Sequence, residues 1–184
     1  MAAIKLNIKL TRLRNGKENT MEDNLINWQH TYKALEEYGA AVRNRYQDKI
    51  ILNDHLASGN LLNTLEYIVT FGSTKISVTL NLQDYWKYLE EGTKPHWPPI
   101  NAILDWITAK PVLPSKTFDG KLPTMKQLAF LISRKISEEG TEPTHMLEET
   151  IDEINAEFED RIEQAILQDL DEGINAIIIR GFVS

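Results

Sequence analysis

The sequence contains no cysteine, so the chain can form neither a disulfide bond nor a thiolate metal site, and redox chemistry by protein thiols is excluded. It also lacks any apolar run that approaches the roughly 20 residues needed to cross a bilayer, and we predict no association with a membrane. The N-terminus alternates apolar and polar residues from Ile4 onward, unlike the continuous apolar stretch of a signal peptide. We therefore expect the protein to remain where it is made.

Common catalytic and nucleotide-binding motifs are also missing. No GxGxxG, GxxxxGKS/T or GxSxG pattern occurs, and the four histidines have no spacing typical of metal ligands. Glu90, Glu91 and His96 are close in sequence, but consecutive carboxylates on a helix point to different faces. A hydrolase that uses these three residues is therefore the weakest functional hypothesis. We predict that the protein is not an enzyme and has no catalytic residues, metal ligands or cofactor.

The length and composition are typical of one soluble globular domain. A hydrophobic share of 42% and a charged share of 26% are usual for such a domain, and 184 residues suffice for one core. We predict a basic N-terminal arm over residues 1–20, a single α+β domain over residues 21–172, and an apolar tail over residues 173–184. That tail is too apolar for solvent, so it is expected to fold back or to dock on a neighbour.

Charges are segregated along the chain. The first 17 residues carry five bases and no acid, whereas residues 142–172 carry twelve acids and a single base, Arg161. Such segregation favours contacts between subunits or with a charged partner. We predict that the arm of one subunit binds the acidic segment of the next in a homo-oligomer. The arm residues assigned to this contact are Ile4, Lys5, Leu6, Ile8, Lys9, Arg12 and Arg14.

Hydrophobic periodicity predicts a small antiparallel sheet packed against several helices. Residues 4–10 alternate as an amphipathic strand or arm, and residues 65–82 alternate as a hairpin with Gly72-Ser73 as a two-residue turn. Apolar residues spaced by three and four predict long helices near both ends of the chain, over residues 21–55 and 144–171. The fold class is therefore α+β.

A further helix is predicted between Thr124 and Gly140. Thr124 and Gln127 form a capping box at its start, and Gly140 is the expected stop. Its expected buried residues are Leu128, Leu131, Ile132 and Ile136.

The segment from Tyr85 to Pro99 combines aromatics, a glycine and three prolines between two regular segments. Asp84 can cap a short helix, and Gly92 supplies the left-handed residue that ends such a helix. Pro98 and Pro99 suit the first turn of a following helix. The buried stripe of that helix would be Ile100, Ile103, Leu104 and Ile107. We therefore predict a stiff turn between two helices.

The aromatic residues around this turn allow two interpretations. In the first, aromatics at helical spacing anchor the core. The residues concerned are Tyr85, Tyr88, Trp97 and Trp106. In the second, the turn presents exposed side chains to a partner. The partner-interface residues of this second interpretation are Glu91, Gly92, Thr93, Lys94, His96 and Trp97.

Two short motifs flank the following helices: E-x-G-T at residues 90–93 and G-T-x-P at residues 140–143. Ser58-Gly59 precedes the hairpin, and a proline-initiated helix containing Trp106 lies between the motifs. In this order they resemble the minor neck proteins of tailed bacteriophages, the tail-completion or head-tail joining family. The resemblance spans about residues 56–155, and the long N-terminal helix lies outside it.

The resemblance implies an α+β structural protein of the virion neck or tail, made in the cytoplasm of a bacterial host. It implies a homo-oligomeric ring that joins portal or head-completion proteins to tail proteins, with DNA passing non-specifically through its channel and without catalysis. An alternative from the residues themselves is a cytosolic nucleic-acid-binding adaptor that places the basic arm on phosphates. Lysines that protect a strand edge explain the arm better than DNA binding does.

Overall fold

The computed structural model describes residues 2–8, 26–53, 63–72, 76–84, 86–110 and 122–183. Over these residues the fold is α+β, which confirms the predicted class, and it comprises three strands and five helices. None of the helices within the described ranges is long and apolar enough to span a membrane.

The strands form one antiparallel sheet in which β3 (Ile76–Leu82) lies between β1 (Ala2–Ile8) and β2 (Glu66–Phe71). The alternation of β3 is confirmed, because every second side chain is buried. These buried residues are Ile76, Val78, Leu80 and Leu82. The N-terminal alternation forms a strand of the same sheet, with Ala2 opposite Leu82 and Ile8 opposite Ile76.

The predicted two-residue turn at Gly72-Ser73 is wrong. Phe71 pairs with Ile76, so four residues, 72–75, connect β2 to β3, and residues 73–75 lie outside the described part. A register slip of one residue would turn the apolar face of β3 toward solvent. Burial of that face therefore decides the register, and a local turn signal does not.

Helix α1 spans Gln29–Leu52. It is shorter than the predicted range of 21–55, because residues 26–28 lie before the helix and Asn53 is in a turn, while residues 21–25, 54 and 55 lie outside the described part. Its buried residues recur at helical spacing as expected, and they are Leu35, Tyr38, Val42, Tyr46 and Ile50. Gly39 lets the Tyr67 ring approach the helix, since a Cβ there would lie 2.4 Å from Tyr67 Cδ2.

The chain divides into two compact units. One comprises residues 1–46, 65–82 and 148–184, and the other comprises residues 47–64 and 83–147. Both long helices contribute residues to both units. Two of the four boundaries, after residues 46 and 147, therefore fall inside helices, and the single domain over residues 21–172 stays a prediction.

The last helix of the chain, which spans Met146–Val183, is longer than the sequence predicts. The prediction that it stops near Asp171 is wrong, because residues 173–183 of the predicted apolar tail over residues 173–184 continue the helix, and Ser184 lies outside the described part. Gly173 lies within the helix and is buried, and a Cβ there would lie 2.8 Å from Ile26 Cγ1. A mid-helix glycine costs only about 1 kcal/mol relative to alanine, so the close packing of Gly173 against Ile26 can carry the helix past it.

The second unit contains three shorter helices: α2 (Trp86–Glu90), α3 (Ile100–Ala109) and α4 (Met125–Glu139). The final helix, Met146–Val183, is α5. The capping box of Thr124 and Gln127 is confirmed, and so is the stop at Gly140. Leu131, predicted to be buried, is 52% exposed, and the fully buried residues of α4 are Ala129 and Ser133. Small residues face the interior here because α4 packs against α3.

Candidate partner interface

The predicted turn forms as expected between α2 and α3. We call residues 91–97 the elbow. Gly92, two residues after the end of α2, has a φ of 67°, in the left-handed region that glycine adopts at little cost. Pro99 is the N-cap of α3, so both prolines lie just before the helix and not within its first turn as predicted.

The two motifs of the sequence meet in the structure. The backbone N–H of Thr93 donates to the carbonyl of Thr141 at 3.0 Å, and the N–H of Thr141 donates to the carbonyl of Thr93 at 3.1 Å. Their hydroxyls are also 3.0 Å apart. The E-x-G-T and G-T-x-P segments, which lie 48 residues apart, therefore form one hydrogen-bonded bridge.

Both glycines of the motifs are required by this bridge. A Cβ at Gly92 would lie 2.3 Å from the Thr141 carbonyl oxygen, and a Cβ at Gly140 would lie 2.0 Å from the Thr93 carbonyl oxygen. Gly140 also has a positive φ, of 78°. Any side chain would collide with backbone atoms that cannot move aside, so the motif glycines serve the fold of the elbow.

Glu90 anchors the elbow to the first turn of α5. Its carboxylate is almost completely buried, and both oxygens accept from the backbone N–H of Leu147 at 3.0 Å. The carbonyl of Glu90 also accepts from the N–H groups of Thr144 and His145. The first N–H groups of a helix have no partner within the helix, and a carboxylate also complements the helix dipole there. Glu90 is therefore a cap supplied from a distant segment.

The six predicted partner-interface residues fall into two groups. Gly92 and Thr93 are half-buried within the bridge. The other four are exposed, and they are Glu91, Lys94, His96 and Trp97. The core-anchor interpretation is wrong for Tyr88, Trp97 and Trp106, which are 65%, 51% and 39% exposed, and Tyr85 lies outside the described residues.

Trp97 packs against Phe130, a residue that hydrophobic periodicity does not identify. Its ring meets the ring of Phe130 edge to face, with centroids 5.6 Å apart, and Phe130 is 46% exposed. Phe130 does not belong to the apolar stripe expected for α4, so the periodicity placed it on the solvent side. The sequence did offer one signal for Phe130, because a large aromatic residue outside the predicted buried stripe of a helix marks a possible contact surface.

The cations of α4 beyond Phe130 are paired locally. Arg134 donates to Glu138 at 2.9 Å and Lys135 lies 3.7 Å from Glu139, each one helical turn away. The hydrogen bond to Glu138 raises the pKa of the Arg134 guanidinium. This part of α4 therefore has no excess of positive charge.

The predicted oligomer-interface residues are only partly described. Residues 4–8 belong to β1, whose backbone pairs with β3 of the same chain, so this segment is part of the sheet. Lys9, Arg12 and Arg14 lie outside the described residues. The assignment of an intersubunit contact to these residues stays a prediction.

The acidic helix α5 has ion-pair partners on α1 within the first unit. Arg45 binds Glu153 at 3.1 Å and Glu157 at 3.5 Å. Arg161 binds Glu37. Arg45 of α1 therefore compensates part of the acidic charge of α5, whereas the pair of Arg161 with Glu37 joins the base of α5 to an acid of α1.

The described residues do not bring together the acid/base pair considered in the sequence. The Glu90 carboxylate is occupied by the Leu147 N–H, and His96 Nδ1 is hydrogen-bonded to the Lys94 carbonyl at 2.9 Å. Within the described ranges no group of three or more histidine, aspartate or glutamate side chains could hold a metal ion.

The sequence matches no protein-family model, and searches of curated proteins and of solved structures likewise found no match.

Proposed function

We propose that the protein is a structural subunit of the neck of a tailed bacteriophage, which forms a homo-oligomeric ring between the head or portal and the tail. The observation that carries this proposal is the bridge between the E-x-G-T and G-T-x-P segments. The resemblance to the neck proteins rests chiefly on these two motifs, and their contact makes them one structural feature.

The exposed side chains of the elbow add support. Lys94, His96 and Trp97 lie on a turn held by the bridge and by the buried Glu90 carboxylate. A partner that binds there meets a surface already in place, so little conformational entropy is lost on binding. Such a surface suits a subunit that must join two other proteins.

Mass spectrometry of purified particles of the encoding phage tests the proposal. We expect the chain in complete virions, in a constant ratio to the portal protein. A nonsense mutation in the gene should leave heads and tails unjoined, and expression in trans should restore joining. Complete virions that lack the chain would contradict the proposal.

The alternative, a cytosolic nucleic-acid-binding adaptor, stays a prediction. Of its basic residues, Lys5 lies in β1, whereas Lys9, Arg12, Arg14 and Lys17 lie outside the described residues, and no described contact favours it. Titration of the chain with duplex DNA over a salt series tests it, because phosphate contacts lower affinity steeply as salt rises.

A further inference from the structure

The sheet has two outer strands, and each pairs on one side only. The central strand β3 is hydrogen-bonded on both sides, whereas β1 and β2 each pair with β3 alone. Within the described residues no backbone hydrogen bond joins β2 to any element other than β3. Every second residue of a strand directs its N–H and C=O groups to the same side. The outer edge of β2 therefore offers a row of donors and acceptors that an extended backbone of another chain satisfies in register.

The strand β2 lacks the features that protect an edge from pairing. Its sequence, Glu66–Phe71, contains neither lysine nor proline, and its register with β3 is continuous, without a bulge. On one face the central Ile68 is 51% exposed. On the other face Tyr67, Val69 and Phe71 are only half-buried, although the β3 residues opposite them are buried. The apolar face of the sheet therefore continues to the open edge of β2.

We propose that the outer edge of β2 in one copy pairs with the outer edge of β1 in a second copy, so that the sheet continues from subunit to subunit. Both outer strands run antiparallel to β3, and they are therefore parallel to each other. A copy rotated about an axis along the strands presents its β1 to β2 in parallel orientation, with the apolar faces of both sheets on the same side. Mixed sheets of this kind are common. Because the contact joins two different edges, it closes into a ring when the rotation permits.

Charge favours β1 over a second copy of β2 as the occupant of this edge. Lys5 is the only charged residue of β1, and Glu66 is the only charged residue of β2. Two paired copies of β2 would bring no base to Glu66, and they would leave both β1 edges open. A lysine on an edge deters pairing with a strand that offers no acid, so Lys5 also disfavours contact between two copies of β1.

The same charge pair gives a register that suits the apolar pattern. With Lys5 beside Glu66 of the neighbouring copy, Leu6 lies beside Tyr67. Within one copy, Leu6 and Tyr67 are each opposite a buried residue of β3. The core-facing positions of the two copies are therefore continuous, whereas a shift by one residue would place core-facing positions beside solvent-facing ones. Charge and hydrophobic pattern thus select the same pairing.

Disulfide cross-linking of the full chain tests the contact, because the chain has no cysteine of its own. One sample carries Lys5→Cys and the other carries Glu66→Cys. Within one chain these positions lie on opposite sides of β3, at least about 9 Å apart, whereas a disulfide allows a Cα separation of about 7 Å at most. Mixed and mildly oxidised, the two samples should form more heterodimer than random pairing gives. Peptide mass spectrometry identifies the bond, and circular dichroism checks the fold of each variant.

The matched control is Leu52→Cys, at a position of α1 that is 82% exposed. Mixed with Glu66→Cys, it should give heterodimer only at the level of random pairing. The absence of excess heterodimer between Lys5→Cys and Glu66→Cys would overturn the proposal. A predominant homodimer of Glu66→Cys would also overturn it, since two β2 edges would then pair with each other.

A lysine on the edge of β2 tests the contact without a covalent bond. Ile68→Lys should weaken self-association at least about 10-fold, because the charge must be buried when the edge is paired. The control is Ile51→Lys in α1, which is 55% exposed and should assemble as the unsubstituted chain does. Sedimentation velocity measures assembly. Normal assembly of a folded Ile68→Lys chain would overturn the proposal, and so would an unsubstituted chain that stays monomeric at every concentration.

Charge reversal tests the register. Lys5→Glu and Glu66→Lys should each weaken association about 5- to 10-fold, and the double variant should recover to within about 3-fold of the unsubstituted chain. Additive losses in the double variant would overturn the pairing of these two residues.

The inference deepens the proposed neck ring, on which it rests only for the closing of the ring, and the two fail differently. A chain that is present in virions but shows no contact between β1 and β2 of different copies retains the neck function and refutes the pairing. A chain that cross-links through these edges but is absent from virions retains the pairing and refutes the neck function.

Discussion

Two carboxylates from distant parts of the chain cap the first turns of the two long helices. The carboxylate of Asp169, which is fully buried, accepts from the backbone N–H groups of His30 and Thr31 in the first turn of α1. Glu90 does the same for Leu147 in α5. Both caps come from residues remote in sequence, so helix starts and tertiary packing depend on each other.

Replacing Glu90 should therefore destabilise the protein. Glu90→Ala should lower the free energy of unfolding by about 1.5–3 kcal/mol, because a buried charge-assisted hydrogen bond is lost. Glu90→Gln keeps one acceptor oxygen and should lose less. The control is Glu91→Ala at the exposed neighbouring position, which should change stability by no more than about 0.5 kcal/mol. Urea denaturation of the three variants measures the difference, and equal losses at both positions would contradict the capping role.

A second difference in the free energy of unfolding is expected between a substitution at Gly92 and one at Gly181. Gly92→Val places a β-branched side chain at positive φ and against the Thr141 carbonyl, which should cost about 2–5 kcal/mol. The control is Gly181→Ala in α5, where no atom lies within 4 Å of the added Cβ. It should be neutral or stabilise by up to about 1 kcal/mol, since alanine is the better helix former. Thermal unfolding at low concentration compares them, and a stable Gly92→Val protein would mean that the bridge tolerates a side chain.

At the scale of elements, α1 and α5 pack through Tyr38 in the first unit. The Tyr38 ring meets Phe158 edge to face with centroids 5.8 Å apart, and its hydroxyl donates to Asn155 Oδ1 at 2.8 Å. Burial raises the pKa of Tyr38 to about 12, because the phenolate would be charged in an apolar environment. The stability that Tyr38 contributes to the packing of these helices should therefore depend on pH.

The raised pKa of Tyr38 predicts loss of stability in alkali. The folded chain keeps the phenol neutral while the unfolded chain ionises near pH 10, so the contribution is complete below pH 10 and is lost as pH rises toward 12. The stability advantage over Tyr38→Phe should shrink across this window. Tyr88→Phe, at an exposed position, should retain the pH dependence of the unsubstituted chain. Denaturation series at pH 8 to 12 compare them, and an advantage that stays constant would refute the assignment.

At the scale of the whole molecule, stability and assembly should depend on different residues. His96→Ala/Trp97→Ala should leave folding nearly intact, since both side chains are exposed, with a cost of about 0.5–1.5 kcal/mol for the lost contact with Phe130. Assembly should be impaired. Thermal unfolding measures the effect on folding, and virion yield measures the effect on assembly. Global unfolding of the double variant would show that Trp97 anchors the core.

Local patterns in the sequence alone determined the class of fold and several of its boundaries. The alternation of β3, the capping box at Thr124 and the glycine stops at Gly92 and Gly140 each depend on a few neighbouring residues. Backbone sterics and side-chain period act at this range, so the sequence is sufficient there.

Only the tertiary structure decided which residues meet. Three features join segments far apart in sequence. They are the close contact of Gly173 with Ile26, where α5 continues, the caps supplied by Asp169 and Glu90, and the bridge between Thr93 and Thr141. The exposure of Trp97 beside Phe130 depends in the same way on how α4 lies against α3. Helical period identifies an apolar stripe, but burial depends on what covers it, and long-range packing supplies that cover.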